Sequence, residues 1–171
     1  MLSPDLYLNQ VRDIDLDALR AQGVDTLLMD LDNTLLPRDS SIVPDEIATW
    51  AASLPGRGFR VCLVSNNWHE RVHEVAEELG FKLVAKAVKP LPFAFWRALK
   101  LMGVRRRQCA VVGDQMFTDV LGGKLLGIKT IMVLPLSQSD LPHTLLLRHV
   151  EKLLLGGRRP QAQDAHTSES R

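Results

Sequence analysis

Asp30 and Asp32 stand one residue apart at the end of an apolar run, and in extended chain residues two apart project to one side. That spacing suits two jobs in phosphoryl chemistry. Asp30 is placed to attack phosphorus in line, while Asp32 protonates the leaving oxygen and later activates the water that cleaves the acyl phosphate. Carboxylates this close repel one another, and a divalent cation that also binds a phosphate oxygen offsets the repulsion. Mg²⁺ accepts such oxygen ligands in octahedral geometry at about 2.0–2.1 Å. Asp114 follows Gly113, which permits close backbone approach, and is the natural third ligand. Asp119 lies about one helical turn further on, where it supports the metal site by orienting a ligand or a bound water. The phosphoryl oxygens need donors where their charge sits: Ser65 offers a hydroxyl, Asn66 a backbone N–H, and Lys89 a full positive charge that also tethers the nucleophile.

These residues need a frame that brings them together. Short β-branched apolar runs alternate with longer amphipathic ones, the pattern of βαβ units and a mostly parallel sheet. Strands are predicted at Asp25 to Leu31, Phe59 to Val64, Gln108 to Val112 and Thr130 to Leu134, with a weaker one at Lys82 to Ala85. Helices are predicted at Pro44 to Ser53, Trp68 to Leu79, Leu91 to Met102 and Phe117 to Leu126, with Gly80, Gly103 and Gly127 at or near their ends. The expected fold is α/β, a Rossmann-like doubly wound sheet. Its ligand site lies beyond the carboxyl ends of the strands, where the polar residues named above fall.

In order, Asp30-Leu31-Asp32-Asn33-Thr34-Leu35, Ser65, Lys89-Pro90 and Gly113-Asp114-Gln115-Met116-Phe117-Thr118-Asp119 resemble the four motifs of the haloacid dehalogenase (HAD) superfamily. Pro4 to Tyr7, Asp13 to Asp15 and the continuation Val120-Leu121-Gly122-Gly123 are similar to its class IIIA, YqeG-type branch, whose relatives include phosphatidylglycerophosphate phosphatases. The resemblance covers roughly residues 4 to 135. It implies a magnesium-dependent phosphomonoester hydrolase that works through an aspartyl phosphate. It further implies Asp30 as nucleophile and metal ligand, Asp32 as acid/base and as metal ligand through its backbone carbonyl, Ser65 and Lys89 as phosphate binders, and Asp114 as metal ligand. Many members insert a cap domain. Here thirty residues lie between Thr34 and Ser65, and twenty-three between Ser65 and Lys89, too few for one. An uncapped site admits a bulky substrate such as a phospholipid head group or a protein.

Composition bounds the remainder. At 171 residues and 46% hydrophobic, the chain suits one domain, read as residues 1–155, followed by a loose tail at 156–171 that is poor in apolar residues. Twenty-one basic against twenty acidic residues leave a net charge of +1, which argues for no nucleic-acid partner. Cys62 and Cys109 sit in apolar runs and point to a reducing cytoplasm rather than disulfides. No run approaches the roughly 18 apolar residues of a membrane span, so the protein is expected to be soluble or peripheral. The leucine-rich basic segment Leu141 to Leu155 packs on the sheet as a terminal helix or, with a lipid substrate, lies on a membrane surface. Trp50, Trp68 and Trp96 are expected to be packing residues.

Two other readings compete. His69-Glu70-Arg71-Val72-His73 matches a zinc-peptidase motif, though Arg71 places a cation within it and no third ligand follows nearby. A phospho-aspartate signalling module would share the acidic cluster, the hydroxyl and the lysine. Such modules, however, carry the accepting Asp on a middle strand, after an earlier acidic pair.

Overall fold

The computed structural model describes residues 2–137 and 159–161. Six strands form one sheet: β1 (Leu6–Leu8), β2 (Thr26–Met29), β3 (Arg60–Val64), β4 (Lys82–Val84), β5 (Cys109–Gly113) and β6 (Lys129–Val133). Their spatial order is β1-β6-β5-β2-β3-β4, and every pairing is parallel. Parallel neighbours cannot be joined by tight hairpins, so the chain crosses over through helices. These are α1 (Leu16–Ala21), α2 (Asp45–Ser53), α3 (Glu70–Leu79), α4 (Pro92–Met102) and α5 (Leu121–Leu125).

Helices on both faces explain why the central strands read as unbroken apolar runs rather than alternating ones. Leu27, Met29, Val61 and Leu63 face one way and pack with Leu16, Leu19, Ile47, Val72 and Val75 of α1, α2 and α3. Leu28, Cys62 and Val111 face the other way, onto Ala94, Phe95 and Ala98 of α4. Each large aliphatic side chain buried in this way contributes about 1.5–3 kcal/mol relative to exposure. Cys62 and Cys109 are buried free thiols, and burial raises each to a pKa of about 12. Gly80 and Gly103 close α3 and α4 at φ 68° and 66°, the left-handed geometry that a side chain would resist.

The predicted strands and helices are all present, with three differences. β1 and α1 were not foreseen, because three and six residues are too few to display a period; α1 is instead fixed by Asp15, whose carboxylate accepts from the Ala18 N–H at 2.8 Å. The helix expected from Phe117 to Leu126 begins as a π-turn over Met116–Val120 before continuing as α5. Two tryptophans are also placed outside the core: Trp68 is 60% and Trp96 54% exposed, whereas Trp50 packs partly against it.

Only α2 with a short 3₁₀ turn separates β2 from β3, and only α3 separates β3 from β4, so no cap domain stands in either place. Among the described residues no helix is long and apolar enough to cross a membrane. The segment Leu141 to Leu155, and the tail except for residues 159–161, lie outside the described residues. Within the tail, the Gln161 N–H donates to the Tyr7 carbonyl at 2.7 Å, so this short stretch runs against β1.

Candidate active site

Strand order reverses at β2, which lies between β3 on one side and β5 on the other. A crevice opens beyond the carboxyl ends of strands at such a point. Asp30 is the first residue after β2, and its N–H donates to the Val112 carbonyl at 2.8 Å, extending the β2–β5 ladder by one rung. Asp114 directly follows β5, Ser65 directly follows β3, and Lys89 follows β4 by a short loop.

Lys89 organises the centre. Its Nζ donates to Asp30 Oδ1 and to Asp119 Oδ1, each at 2.7 Å, and all three side chains are buried. Burial alone would push the ammonium pKa down, but the charges of Asp119 and Asp30 outweigh it and hold the pKa well above its ordinary value. Asp119 moves the other way. Burial raises its pKa to about 6, Asp30 adds to the rise, and Lys89 and the Gln115 N–H only partly oppose it. The asymmetry has a simple source: one ammonium is shared among several carboxylates, so it stays charged while one of them is left short of compensation.

Asp30, Asp114 and Asp119 each bring a carboxylate oxygen within 4.8 Å of the others, and all three residues are buried. Hard oxygen donors with surplus negative charge suit Mg²⁺ or a similar dication, so the donor set fits that ion. The group differs in membership from the expected ligands, since the Asp32 carboxylate is not part of it and that of Asp119 is. The resemblance assigns Asp32 a carbonyl rather than a carboxylate contact, so the two need not conflict. Gly113 makes room for Asp119: a Cβ there would stand 2.2 Å from its Cγ. The remaining Asp119 oxygen accepts from the Gln115 N–H and the Thr118 hydroxyl, both at 3.3 Å.

Asp32 is half-buried, and its carboxyl lies above its usual range. Burial is the main cause and the Asp30 charge the second, with Arg38, Lys89 and His69 pulling the other way. The loop beyond it is tied down by Asn33, which adopts φ 61°, a conformation Asn tolerates better than most residues. The Asn33 Oδ1 accepts from the Arg38 N–H at 3.0 Å and from the Ser137 hydroxyl at 2.8 Å.

Ser65 is fully buried, and its Oγ accepts from the Asn67 N–H at 3.1 Å, which leaves the hydroxyl proton to donate. Asn66 was expected to contribute through its backbone. Its side chain grips the backbone of Lys89 from both sides: Oδ1 accepts from the Lys89 N–H at 2.6 Å, and Nδ2 donates to the Lys89 carbonyl at 3.2 Å. Sequence reasoning missed this clamp.

The zinc motif does not assemble. His69 is the extended N-cap of α3, outside its helical register, and His69, Glu70 and His73 are exposed. Arg71 is engaged instead with Glu74 and Glu78, each at 3.0 Å. Among the described residues, the aspartate trio is the one group able to hold a metal.

A family model described as HAD-hydrolase-like matches residues 87–137, which span Lys89 through the end of the acidic cluster. The chain is 37% identical over 152 residues to the Bacillus subtilis protein "Probable phosphatase YqeG", covering 89% of this chain and 88% of that one. The chain belongs to the haloacid dehalogenase superfamily, in its YqeG-type branch. It is a HAD phosphatase. A second relative, the Arabidopsis thaliana phosphatidylglycerophosphate phosphatase 1, is 25% identical over 89% of this chain, but the match spans only 46% of the plant protein. The HAD fold is also seen in the cobalt-bound deoxy-D-mannose-octulosonate 8-phosphate phosphatase of Haemophilus influenzae, with a TM-score of 0.52 and 13% identity, over 80% of this chain and 90% of that one.

Proposed function

We propose that this HAD phosphatase hydrolyses a phosphate monoester in two steps at Asp30. In the first, an Asp30 carboxylate oxygen attacks phosphorus, the bond from phosphorus to the ester oxygen breaks, and the Asp32 carboxyl passes its proton to the departing oxygen. In the second, Asp32 as carboxylate takes a proton from water, the water oxygen attacks phosphorus, and the bond to Asp30 breaks to release phosphate. The upward shift of the Asp32 pKa, caused first by burial and then by the Asp30 charge, is in the direction that suits a proton donor. Lys89 orients the nucleophile and offers charge to the phosphoryl oxygens, Ser65 offers them its hydroxyl, and the Asn66 clamp fixes the lysine's backbone. Mg²⁺ is the proposed cofactor, held by Asp30 and Asp114 with the Asp32 carbonyl, and with Asp119 beside it. When bound it would neutralise the surplus carboxylate charge and polarise a phosphoryl oxygen.

The observation that carries this reading is the buried triad of Asp30, Lys89 and Asp119 at 2.7 Å contacts beyond β2. Asp30→Asn keeps the volume and loses the nucleophile. Turnover of a small phosphate ester with magnesium should vanish while the melting transition persists, and wild-type-like turnover in that variant would refute the mechanism.

The proposed substrate is a membrane-lipid phosphomonoester, with phosphatidylglycerophosphate the single best choice. Two phosphatases of that name, from Arabidopsis thaliana and Chlamydomonas reinhardtii, match 89% and 87% of this chain, and the uncapped site leaves room for a head group. A soluble or protein phosphate ester is the competing substrate. Turnover of the lipid in vesicles, measured against sugar and nucleotide phosphates, decides between them: a lipid rate no higher than the others removes the lipid assignment and leaves the phosphatase.

A further inference from the structure

The net charge of +1 conceals a strong segregation. From Leu79 to Gly113 the chain holds eight Lys or Arg and no Asp or Glu. That stretch forms β4, the Lys89 loop, α4 and β5. Of the eight cations, Lys89 is committed to buried carboxylates, and Lys82 donates to the Leu101 carbonyl at 3.1 Å, beside the carboxyl end of α4.

The same stretch exposes large apolar side chains where a folded protein usually hides them. Val88 and Leu91 flank the site residue Lys89 in sequence and are 56% and 54% exposed. α4 then continues the theme along its outer side. Phe93 and Trp96 stand three residues apart, neighbours on one helical face, and each is more than half exposed. Arg97 lies over the Phe93 ring and Lys100 over the Trp96 ring, both at 5.6 Å, while Ala94, Phe95 and Ala98 turn inward to the sheet. Trp68, from the loop after β3, joins at the other end: Lys86 sits 5.7 Å from its ring, and Trp68 lines a cleft of about 480 Å³ with Lys86, Val88 and Lys89.

Aromatic and aliphatic side chains framed by cations, with no acidic residue between Leu79 and Gly113, make an amphipathic interfacial surface. On a bilayer such rings and aliphatic groups would enter the boundary between head groups and acyl chains, and Arg97 and Lys100 would remain at the level of the lipid phosphates. A nucleic acid is disfavoured, because Val88 and Leu91 supply aliphatic rather than stacking surface.

We infer that the outer face of α4, continued through Leu91, Val88 and Trp68, docks the enzyme on an anionic lipid bilayer with the mouth of the active site held at the bilayer surface. The docking rests on the proposed lipid substrate only for what the bilayer presents to Asp30, and it assigns membrane contact to a surface distinct from Leu141 to Leu155.

The test uses the full chain, floated with vesicles of pure phosphatidylcholine and with vesicles containing about one third phosphatidylglycerol, across a salt series. Two double variants that do not touch the proposed catalytic residues accompany it: Arg97→Glu with Lys100→Glu, and Phe93→Ser with Trp96→Ser. Hydrolysis of para-nitrophenyl phosphate with magnesium is measured for each chain as a separate readout. The wild type is expected to bind anionic vesicles, to release as salt rises, and to bind neutral vesicles weakly. Each double variant should bind at least about ten-fold less, with ester hydrolysis unchanged. Failure of the wild type to bind anionic vesicles at low salt overturns the docking and leaves a protein partner as the occupant of this face. Variants that bind as the wild type does overturn the assignment to α4. Vesicle binding without ester hydrolysis upholds the docking and overturns the catalytic reading instead.

Discussion

Replacing Gly113 by Ala gives a sharp test of how the site is built, because the added methyl group has one place to go. A Cβ at residue 113 would lie 2.2 Å from Asp119 Cγ, 2.3 Å from its Oδ2 and 2.6 Å from its Cβ. Carbon atoms in ordinary contact sit about 3.5–4.0 Å apart, so the carboxylate or the strand end must retreat by about 1 Å. The retreat is resisted on the far side, where Asp119 Oδ1 takes a 2.7 Å hydrogen bond from the same Lys89 Nζ that holds Asp30. Overpacking of this kind costs about 1–3 kcal/mol of stability, and displacement of a reacting group by about 1 Å can cost on the order of 100-fold in rate. We expect Gly113→Ala to unfold at lower urea concentration and to lose about 100-fold in kcat, with a smaller effect on KM. The cause can be isolated with Asp119→Ala, which removes the atoms that the new methyl strikes. The double variant should be more stable than the sum of the single losses predicts, by more than about 1 kcal/mol. A Gly113→Ala enzyme with wild-type melting and kcat, or strictly additive losses in the double variant, would refute the claim that this glycine exists to seat Asp119.

Asn66→Ala removes both hydrogen bonds to the Lys89 backbone; kcat should fall about 10-fold or more with modest loss of stability, whereas Asn67→Ala, outside that clamp, should leave kcat largely intact. Two carboxylates should act on stability with opposite sign. The folded pKa of Asp32 is raised above 3.8, so its ionisation opposes folding as pH rises; Asp32→Asn should raise the melting temperature at pH 7, and the gain should fade as pH falls through the folded pKa and be gone below 3.8. For Asp5, burial raises the pKa, but Lys124 and the Thr130 N–H outweigh it and the folded value is lowered. Its contribution is present above 3.8 and lost as pH falls through the folded pKa, so Asp5→Asn should lower the melting temperature at neutral pH and not at strongly acid pH. Mg²⁺ at about 100 times its dissociation constant should add about 2.7 kcal/mol to the wild type by mass action, and much less to Asp114→Asn at the same concentration; superimposed titrations would remove Asp114 from the metal set.

The sequence displayed the sheet because buried parallel strands are apolar throughout, and it displayed the site positions because a doubly wound topology forces strand ends to one edge. Asp30, Ser65 and Asp114 each stand directly after a strand, so their convergence was legible before any coordinates. The clamp of Asn66 on Lys89 was not. It joins residues twenty-three apart through side-chain and backbone groups, and nothing in local period or composition records such a contact. The position of Asp119 in the carboxylate trio was equally hidden, since it depends on a π-turn that shifts the helix phase and on the missing Cβ of Gly113. Trp96 was misread for a different reason. In Pro92–Met102 apolar residues occupy both sides, so hydrophobic pattern alone does not separate Phe95, which is buried, from its neighbour Trp96, which is not.

The placement of β1 bears on the order in which the molecule can fold. Leu6 pairs with Ile131, whereas the central partners Leu28 and Cys62 are separated by a far shorter stretch of chain. Closing the longer loop costs only about 1 kcal/mol more in chain entropy, but on the ribosome it imposes a wait. Among the described strands β1 is made first and its partner β6 last, so β2, β3, β4 and β5 can join before it and bring the proposed nucleophile, the lysine and Asp114 together on an open-edged sheet. The N-terminal strand then arrives as a latch, secured by Lys124 to Asp5 at 2.6 Å, and Gln161 lies across its outer edge, where an unpaired strand would otherwise invite a second chain.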